Sequence, residues 1–491
     1  MHPSMQAIPS DRDEATEHPP LPARRRWLTA LGALALCIGV GSCATSPRDA
    51  SSDTTAPKNV IIMFADGAAL TQWNFGQYSS RVLRNESFAV TDIVLREGVN
   101  GMLATHPHGA YVTDSAAAAS AMSTGHKVRN GAVSVAPDGR ILPTLMQKAK
   151  AAGKRIGLVT TATVYDATPA AFGVNALSRR DYPAIVDAYL ELEPDVLLGG
   201  GEDFFLPTQV AGGKRKDGKD ITAAFRTKGH SFVRTVGELK AAEATKLLGL
   251  FATADMSFEL DRQRDREPTT AEMTVAALKA LSKSSPTGFV LLVENENTDT
   301  AQHANDAASL MHALWAFDDA VKVAIAYQKQ HPDTLVIVTG DHETGGFSAT
   351  YALKDLSRIS SSNRFYSDDE SLRKLARVTM SFGAVAATLG RKPTSEQLDA
   401  LVAKGFPGFT LDADIQALIL GRKTSERNFS YLPQNALGMM IARQTGFYWG
   451  TSGHTAEPVQ VGALGPGAQL FRGYQDNTDF AKHLHRLIEA R

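Results

Sequence analysis

An α/β fold, a three-layer sandwich with a mainly parallel central sheet, is what this chain predicts, and two observations carry the prediction. From Asn59 onward, short continuous apolar runs alternate with stretches of helical periodicity, as expected of strands covered on both faces by crossover helices. Three of those runs lead into acidic or imidazole side chains, and in an open parallel sheet ligands bind beyond the carboxyl ends of the strands.

The chain enters this fold late. Residues 1–23 are polar; Arg24, Arg25 and Arg26 then precede an apolar run over 27–40 that ends in Gly41-Ser42-Cys43. A basic cap, a short apolar stretch and small residues predict an export signal over 1–43, too short for a membrane span. Val40-Gly41-Ser42-Cys43 resembles the cleavage box of bacterial lipoproteins, which would lipidate Cys43 and anchor a periplasmic or extracellular protein to a membrane. An ordinary signal peptide stays open as the alternative, and the paired arginines before Trp27-Leu28 admit the twin-arginine route. Residues 44–58, rich in Ser, Thr, Asp and Pro, read as a flexible tether. The two cysteines of the sequence, Cys37 and Cys43, both fall in the signal, which leaves the folded part without a disulfide or a thiolate ligand.

Predicted strands cover 60–64, 156–160, 196–198, 289–293, 335–338 and 459–463, and predicted helices cover 115–122, 142–151, 184–190, 270–281 and 306–328. In the last helix Leu310, Leu314, Phe317 and Val321 recur at helical spacing and predict a buried stripe. From about 352 to 444 the rhythm breaks: Ser, Lys, Arg and Asp increase and strand signals weaken. That stretch is expected to be an inserted cap over one end of the sheet, within one domain spanning 59–491. Charge is balanced, 51 Lys and Arg against 52 Asp and Glu. No basic field is available to hold nucleic acid, so any anion site must be local.

The strand ends carry the chemistry. The first run leads into Asp66-Gly67, the run at 289–293 into Glu294 with Asp299 and His303 beyond, and the run at 335–338 into Asp341-His342-Glu343. A single Asp after a strand is commonly a turn former; three strands bringing acids and imidazoles to one edge indicate a metal site. Oxygen and nitrogen donors without thiolate suit Zn²⁺ or Mg²⁺. In Thr113-Asp114-Ser115, followed by four alanines, helix propensity predicts a helix starting at Ser115. Taken alone, Asp-Ser before alanines is an N-cap. At the same place a serine lies in the positive end of the helix dipole, where an alkoxide and a bound phosphate are both stabilised.

With these segments assembled, the chain resembles the alkaline phosphatase family from about Asn59 to Gly465. The likeness rests on Asp66-Gly67, Thr113-Asp114-Ser115-Ala116-Ala117 with Ser123-Thr124-Gly125 and Lys127, and Asp166-Ala167-Thr168-Pro169 with Ser178-Arg179. It continues through Leu198-Gly199-Gly200-Gly201, the spacing of Glu294, Asp299 and His303, Asp341-His342-Glu343-Thr344-Gly345-Gly346, and Ser452-Gly453-His454-Thr455. The resemblance implies hydrolysis of small-molecule phosphate monoesters through a phosphoserine on Ser115, with two Zn²⁺ and one Mg²⁺ per site. By the same likeness one zinc falls to Asp299, His303 and His454, the other to Asp66, Asp341 and His342, and magnesium to Asp66, Thr168 and Glu294, with Asp166 reaching it through water. Arg179 becomes the phosphate clamp. A homodimer is compatible with this likeness.

One position departs from the family pattern. Well-known bacterial relatives pair an Asp at the position of Asp166 with a Lys at the position of Thr300, whereas this chain keeps the acid and lacks the cation. His106, His108, His126 and His312 match no ligand position and are expected to be structural or solvated. The residues leave two other readings open: a phosphodiesterase or related hydrolase of the same two-metal superfamily, and an anchored lipoprotein that binds phosphate or metal without turnover.

Overall fold

The computed structural model describes residues 56–283, 285–353, 364–424, 426–429 and 434–490. The expected export signal, Cys43 and most of the tether lie outside the described residues.

Ten strands make the central sheet: β1 (Asn59–Ala65), β2 (Val99–Ala104), β3 (Arg155–Thr163), β4 (Val196–Gly200), β5 (Ser231–Val233), β6 (Leu247–Leu250), β7 (Phe289–Asn295), β8 (Thr334–Thr339), β9 (Val459–Leu464) and β10 (Gly473–Asp476). Their spatial order is β10-β2-β9-β8-β1-β7-β3-β4-β6-β5. Every pairing is parallel except those of β9, which runs against both β8 and β2. In register, Phe64 lies beside Glu294 and Thr339; strands in step end in step, which is how Asp66, Glu294 and Asp341 reach one edge.

Side chains alternate across a strand, and here both faces are apolar. Val60, Ile62 and Phe64 pack with Ile156, Leu158, Leu292 and Ile337 beneath helices Ser115–Thr124, Leu145–Ala151, Ala167–Gly173 and Asn477–Glu489. Ile61 and Met63 pack with Val159, Leu291, Val293 and Val338 beneath helices Thr270–Ser282 and Ala307–Gln330. The predicted stripe of Leu310, Leu314, Phe317 and Val321 is fully buried. All six predicted strands are present. Helix boundaries moved where a cap took over: Thr144 accepts from the Gln147 N–H and starts its helix at Leu145, and Asp306 accepts from the Ser309 N–H as the cap of Ala307–Gln330.

β2, β5, β6 and β10 were not predicted. Three of them are short, and β10 is a polar edge strand, Gly-Tyr-Gln-Asp. That edge carries little apolar signal because its residues are exposed or half-buried, whereas β6, Leu-Leu-Gly-Leu, is buried but only four residues long. Between 364 and 445 the structure holds helices Asp369–Leu375, Phe382–Leu389, Ser395–Gly405, Ala413–Gly421 and Gln434–Thr445. Their buried residues, including Leu375, Phe382, Val402, Ile415 and Leu437, join the apolar cluster that holds Leu314 and Phe317.

Candidate active site

Ser115 is the first residue of its helix, and Asp114 is the N-cap, extended at φ −101° and ψ 168°. One Asp114 oxygen accepts the Ala117 N–H at 2.9 Å; the other accepts the Gly131 N–H at 2.8 Å and stands 3.6 Å from Arg179 Nη1. The same carboxylate thus starts the helix and faces the site. All ten residues of the helix are buried, and its alanines let helices Ala167–Gly173 and Asn477–Glu489 approach closely. Ser115 Oγ lies 3.2 Å from His342 Nε2.

Behind the serine is a dense set of buried donors and acceptors. His342 Nε2 is 3.1 Å from Asp341 Oδ2 and 3.7 Å from Asp66 Oδ1. Asp299 is 3.0 Å from His303 Nε2, and His303 Nε2 is 3.1 Å from His454 Nε2. Each imidazole is oriented through its other nitrogen: His303 Nδ1 by the Ser452 carbonyl at 2.6 Å, His454 Nδ1 by the Thr113 carbonyl at 2.7 Å, His342 Nδ1 by Thr344 Oγ1 at 3.2 Å. The Thr344 hydroxyl donates to Asp299 at 2.5 Å. Gly67, at φ +71°, passes under this cluster; a Cβ there would stand 2.6 Å from Asp299 Oδ1. Only glycine combines that backbone with that clearance.

On the other side of Asp66, Thr168 Oγ1 lies 3.4 Å from Asp66 Oδ2, and the Thr160 hydroxyl donates to Glu294 at 2.5 Å. Asp66 Oδ1 and Glu294 Oε1 are buried without a hydrogen-bond partner among the described residues. Burial, with Asp341, Asp299 and Glu294 nearby, pushes the Asp66 carboxyl well above its ordinary value. Burial likewise pushes Glu294 up to about 8, despite the Thr160 hydrogen bond. Burial works against His303 as well, yet the Asp299 carboxylate raises it to about 9, while burial and His342 hold His454 down to about 4.

Four buried carboxylates and a pair of imidazole nitrogens 3.1 Å apart are an unfavourable arrangement without positive charge. Divalent cations would relieve it. Donor atoms of Asp299, His303 and His454 gather within 4.8 Å, as do those of Asp66, Asp299 and His342, so Asp299 stands between two groups with Asp341 at the edge of the second. Thr168 and Glu294 border Asp66 on the far side.

The cluster opens into a cavity of about 580 Å³ lined by Asp114, Ser115, Asp166, Arg179, Tyr182, Asp255, Phe258, Glu296, Thr300, His303 and His454, among others. Arg179 lies at 3.3 Å from Asp166, and despite its burial the flanking acids hold its guanidinium firmly charged. All of the residues expected at the site are therefore together. His106, His108, His126 and His312 are absent from the cavity lining; His312 packs on Trp315 and His126 caps back onto the Thr124 carbonyl. Sequence reasoning did not single out Thr344, Thr160, Glu296 or Asp255. Thr344 was within reach, two residues beyond His342 and so on the same side of an extended segment; Asp255 lies in a loop without any pattern.

The sequence profile of the alkaline phosphatase family matches residues 57–490. Alkaline phosphatase 4 of Bacillus subtilis is 30% identical over 478 residues, covering 94% of this chain and 96% of its own. Alkaline phosphatase 3 of the same organism is 32% identical, covering 88% and 89%. The crystal structure of the Thermus thermophilus alkaline phosphatase superposes with a TM-score of 0.80 at 32% identity, covering 89% of this chain and 92% of that one. With the fold, the strand-end site and these likenesses in agreement, the chain belongs to the alkaline phosphatase family and is a phosphoric monoester hydrolase.

Proposed function

We propose that the enzyme works through a phosphoserine on Ser115, at a site holding two Zn²⁺ and one Mg²⁺. The observation that carries this reading is the position of Ser115 Oγ, at a helix N-terminus and 3.2 Å from His342 Nε2, beside buried Asp66 and Glu294 oxygens that lack partners. Asp299, His303 and His454 would hold one zinc, Asp66, Asp341 and His342 the other, and Asp66, Thr168 and Glu294 the magnesium, with Asp166 through water. Bound there, the cations supply Lewis acidity for the serine hydroxyl and for the leaving oxygen.

The protein's own groups do the positioning. Arg179, held between Asp166 and Asp114, presents a planar fork suited to two phosphate oxygens. Ser115 Oγ forms a bond to phosphorus as the ester P–O bond breaks; the proton it gives up ends on the departing alcohol through solvent. Water then cleaves the phosphoserine, returns the proton to Oγ and releases inorganic phosphate. The amide dipoles at the start of helix Ser115–Thr124 favour the anionic phosphate in both steps. Phosphoryl transfer relies on positioning and charge stabilisation more than on acid-base side chains.

The test is an acid quench during turnover of an aryl phosphate monoester at alkaline pH, with the diester alongside. A peptide containing Ser115 should gain one phosphoryl group, and the monoester should be the faster substrate. A quenched enzyme without phosphoserine, turning over at full rate, would overturn the covalent route. The signal at 1–43 further supports export to the periplasm or outside the cell, with Cys43 as a lipid anchor. Cys43→Ser should then move the protein from the membrane fraction to the soluble one; identical fractionation would remove the anchor.

A further inference from the structure

Two segments of the helical region between 364 and 445 reach the histidines of the site. Asn435, buried near the start of helix Gln434–Thr445, donates its side-chain amide to the His303 carbonyl at 3.2 Å and to Asn305 Oδ1 at 2.6 Å. Asn305 adopts φ +55°, a left-handed conformation that asparagine tolerates, and its own amide donates to the Gln302 carbonyl at 3.0 Å and the Thr451 carbonyl at 2.9 Å. Thr451 belongs to the loop that ends in His454. From the other side, the Asn428 carbonyl accepts the Ser452 N–H at 3.0 Å and the Thr451 hydroxyl at 3.0 Å. The Ser452 carbonyl is the group that accepts from His303 Nδ1.

The consequence is chemical. With Nδ1 turned to the Ser452 carbonyl, the His303 ring directs Nε2 toward Asp299 and His454. The ring rotation and the backbone position of His303 are thereby tied to groups that Asn428 and Asn435 hold. The helix lies close against this turn: a Cβ on Gly438 would stand 2.8 Å from the Asn305 Cβ and carbonyl oxygen.

We propose that Asn435 is a positioning residue for the His303 and His454 metal pair, so that the inserted region sets the affinity of one cation site and not of the other. This rests on the two-zinc reading. Groups that orient a ligand from behind commonly change metal affinity by about 10–100-fold, because a preformed pair of donors has no ordering cost left to meet at binding.

The experiment strips the full-length enzyme with a chelator and titrates Zn²⁺ alone, calorimetrically, into the parent, Asn435→Ala, Asn435→Asp and Arg443→Ala. Arg443 is on the same helix but its guanidinium pairs with Asp412 and Asp414 and, among the described residues, makes no hydrogen bond to the His303 or His454 segments, so it reports any general loosening. The expected result is two Zn²⁺ events in the parent, with one of them about 10–100-fold weaker in Asn435→Ala and the other within about threefold. Asn435→Asp keeps the shape but cannot donate to the His303 carbonyl, and should show the same one-site loss if the alanine variant fails to fold. Arg443→Ala should match the parent. Asn435 variants that bind both ions like the parent, or lose both equally, would overturn the inference while leaving the zinc reading intact; a parent that binds no Zn²⁺ would overturn both.

Discussion

The strand edge and the inserted helices meet at one cavity, yet they contribute to it in opposite ways. β1, β7 and β8 are buried along their whole length and deliver charge: Asp66, Glu294 and Asp341 follow from where three parallel strands stop. The inserted helices bring no expected ligand. They reach the site through an asparagine amide and a backbone carbonyl, and their apolar residues join the cluster already built on the sheet. The difference suggests a division of labour in which the sheet places the reacting groups and the insertion sets their orientation. Substitutions at the strand edge should then remove chemistry with little cost in folding, whereas those at the insertion should act through ligand orientation or through folding and remove no reacting group.

Cation removal should give the largest effect. A chelator is expected to abolish phosphate release, and Zn²⁺ with Mg²⁺ should restore more of it than Mg²⁺ alone, because His303, His342 and His454 are imidazole donors that favour zinc. Recovery of full activity with Mg²⁺ alone would break the assignment of the strand edge as a zinc site. Next comes Ser115→Ala, expected to lower turnover at least about 10³-fold, or about 4 kcal/mol of transition-state stabilisation. Metal content and thermal midpoint should stay near those of the parent, since Ser115 ends no strand and fills little volume. A variant that keeps most of its activity would remove Ser115 from the nucleophile's role.

The same division governs what could be read from the chain. Strands covered on both faces write themselves as continuous apolar runs, so 60–64 and 335–338 were legible, and the ligand-type residues could be found by reading on from them. β10 sits at the sheet edge and β2 beside it, and Gly-Tyr-Gln-Asp in the one and an interrupting Asn100-Gly101 in the other hide the strands. The insertion was legible only as a change in composition. The polar residues that gave that impression are in part helix starts: Asp368, Ser381 and Thr394 each accept an N–H three residues on. What no pattern encoded is the contact between distant segments, such as Asn435 with His303 or Asp306 with Phe382.

Asp306 tests the insertion's side of the comparison. Its buried carboxylate accepts the Ser309 N–H at 2.9 Å, the Ser309 hydroxyl at 2.7 Å and the N–H of Phe382, first residue of an inserted helix, at 2.8 Å. Asp306→Ala removes a helix cap and strands a buried N–H, an expected cost of about 2–4 kcal/mol. Burial pushes this carboxyl up to about 6 in the folded protein. A raised folded pKa means that the native state binds more protons than the unfolded one above about pH 4, so the stability Asp306 lends is complete below that value and declines as pH rises through about 6. Urea unfolding in chelator should therefore show a wider gap between parent and Asp306→Ala at pH 5 than at pH 7.5. An equal gap at both would mean that the carboxyl does not titrate in this window.

The smallest effect, and the finest probe of the strand-edge side, is expected at Thr300. Its hydroxyl donates to Glu296 at 2.5 Å, and the two line the cavity with Asp166 and Asp255. Burial, then the neighbouring Asp255, Asp299 and Asp166, push the Glu296 carboxyl well above its ordinary value. This wall therefore concentrates acids, and among the described residues the arginine and lysine side chains lining the cavity are Arg179, which pairs with Asp166, and Arg180. A lysine at 300 would bring one positive charge within water-mediated reach of a bound phosphate dianion, worth about 1 kcal/mol at such a separation in a partly solvated site. Thr300→Lys should thus tighten inhibition by inorganic phosphate about three- to tenfold and, where product release limits turnover, lower the maximal rate. The acids compete for the same ammonium, which makes the second variant decisive. If Glu296 captures the lysine, adding Glu296→Gln to Thr300→Lys should tighten phosphate further, whereas Glu296→Gln alone should act more weakly. A phosphate inhibition constant that stays at the parent's value in both lysine variants would show that this wall does not tune product affinity.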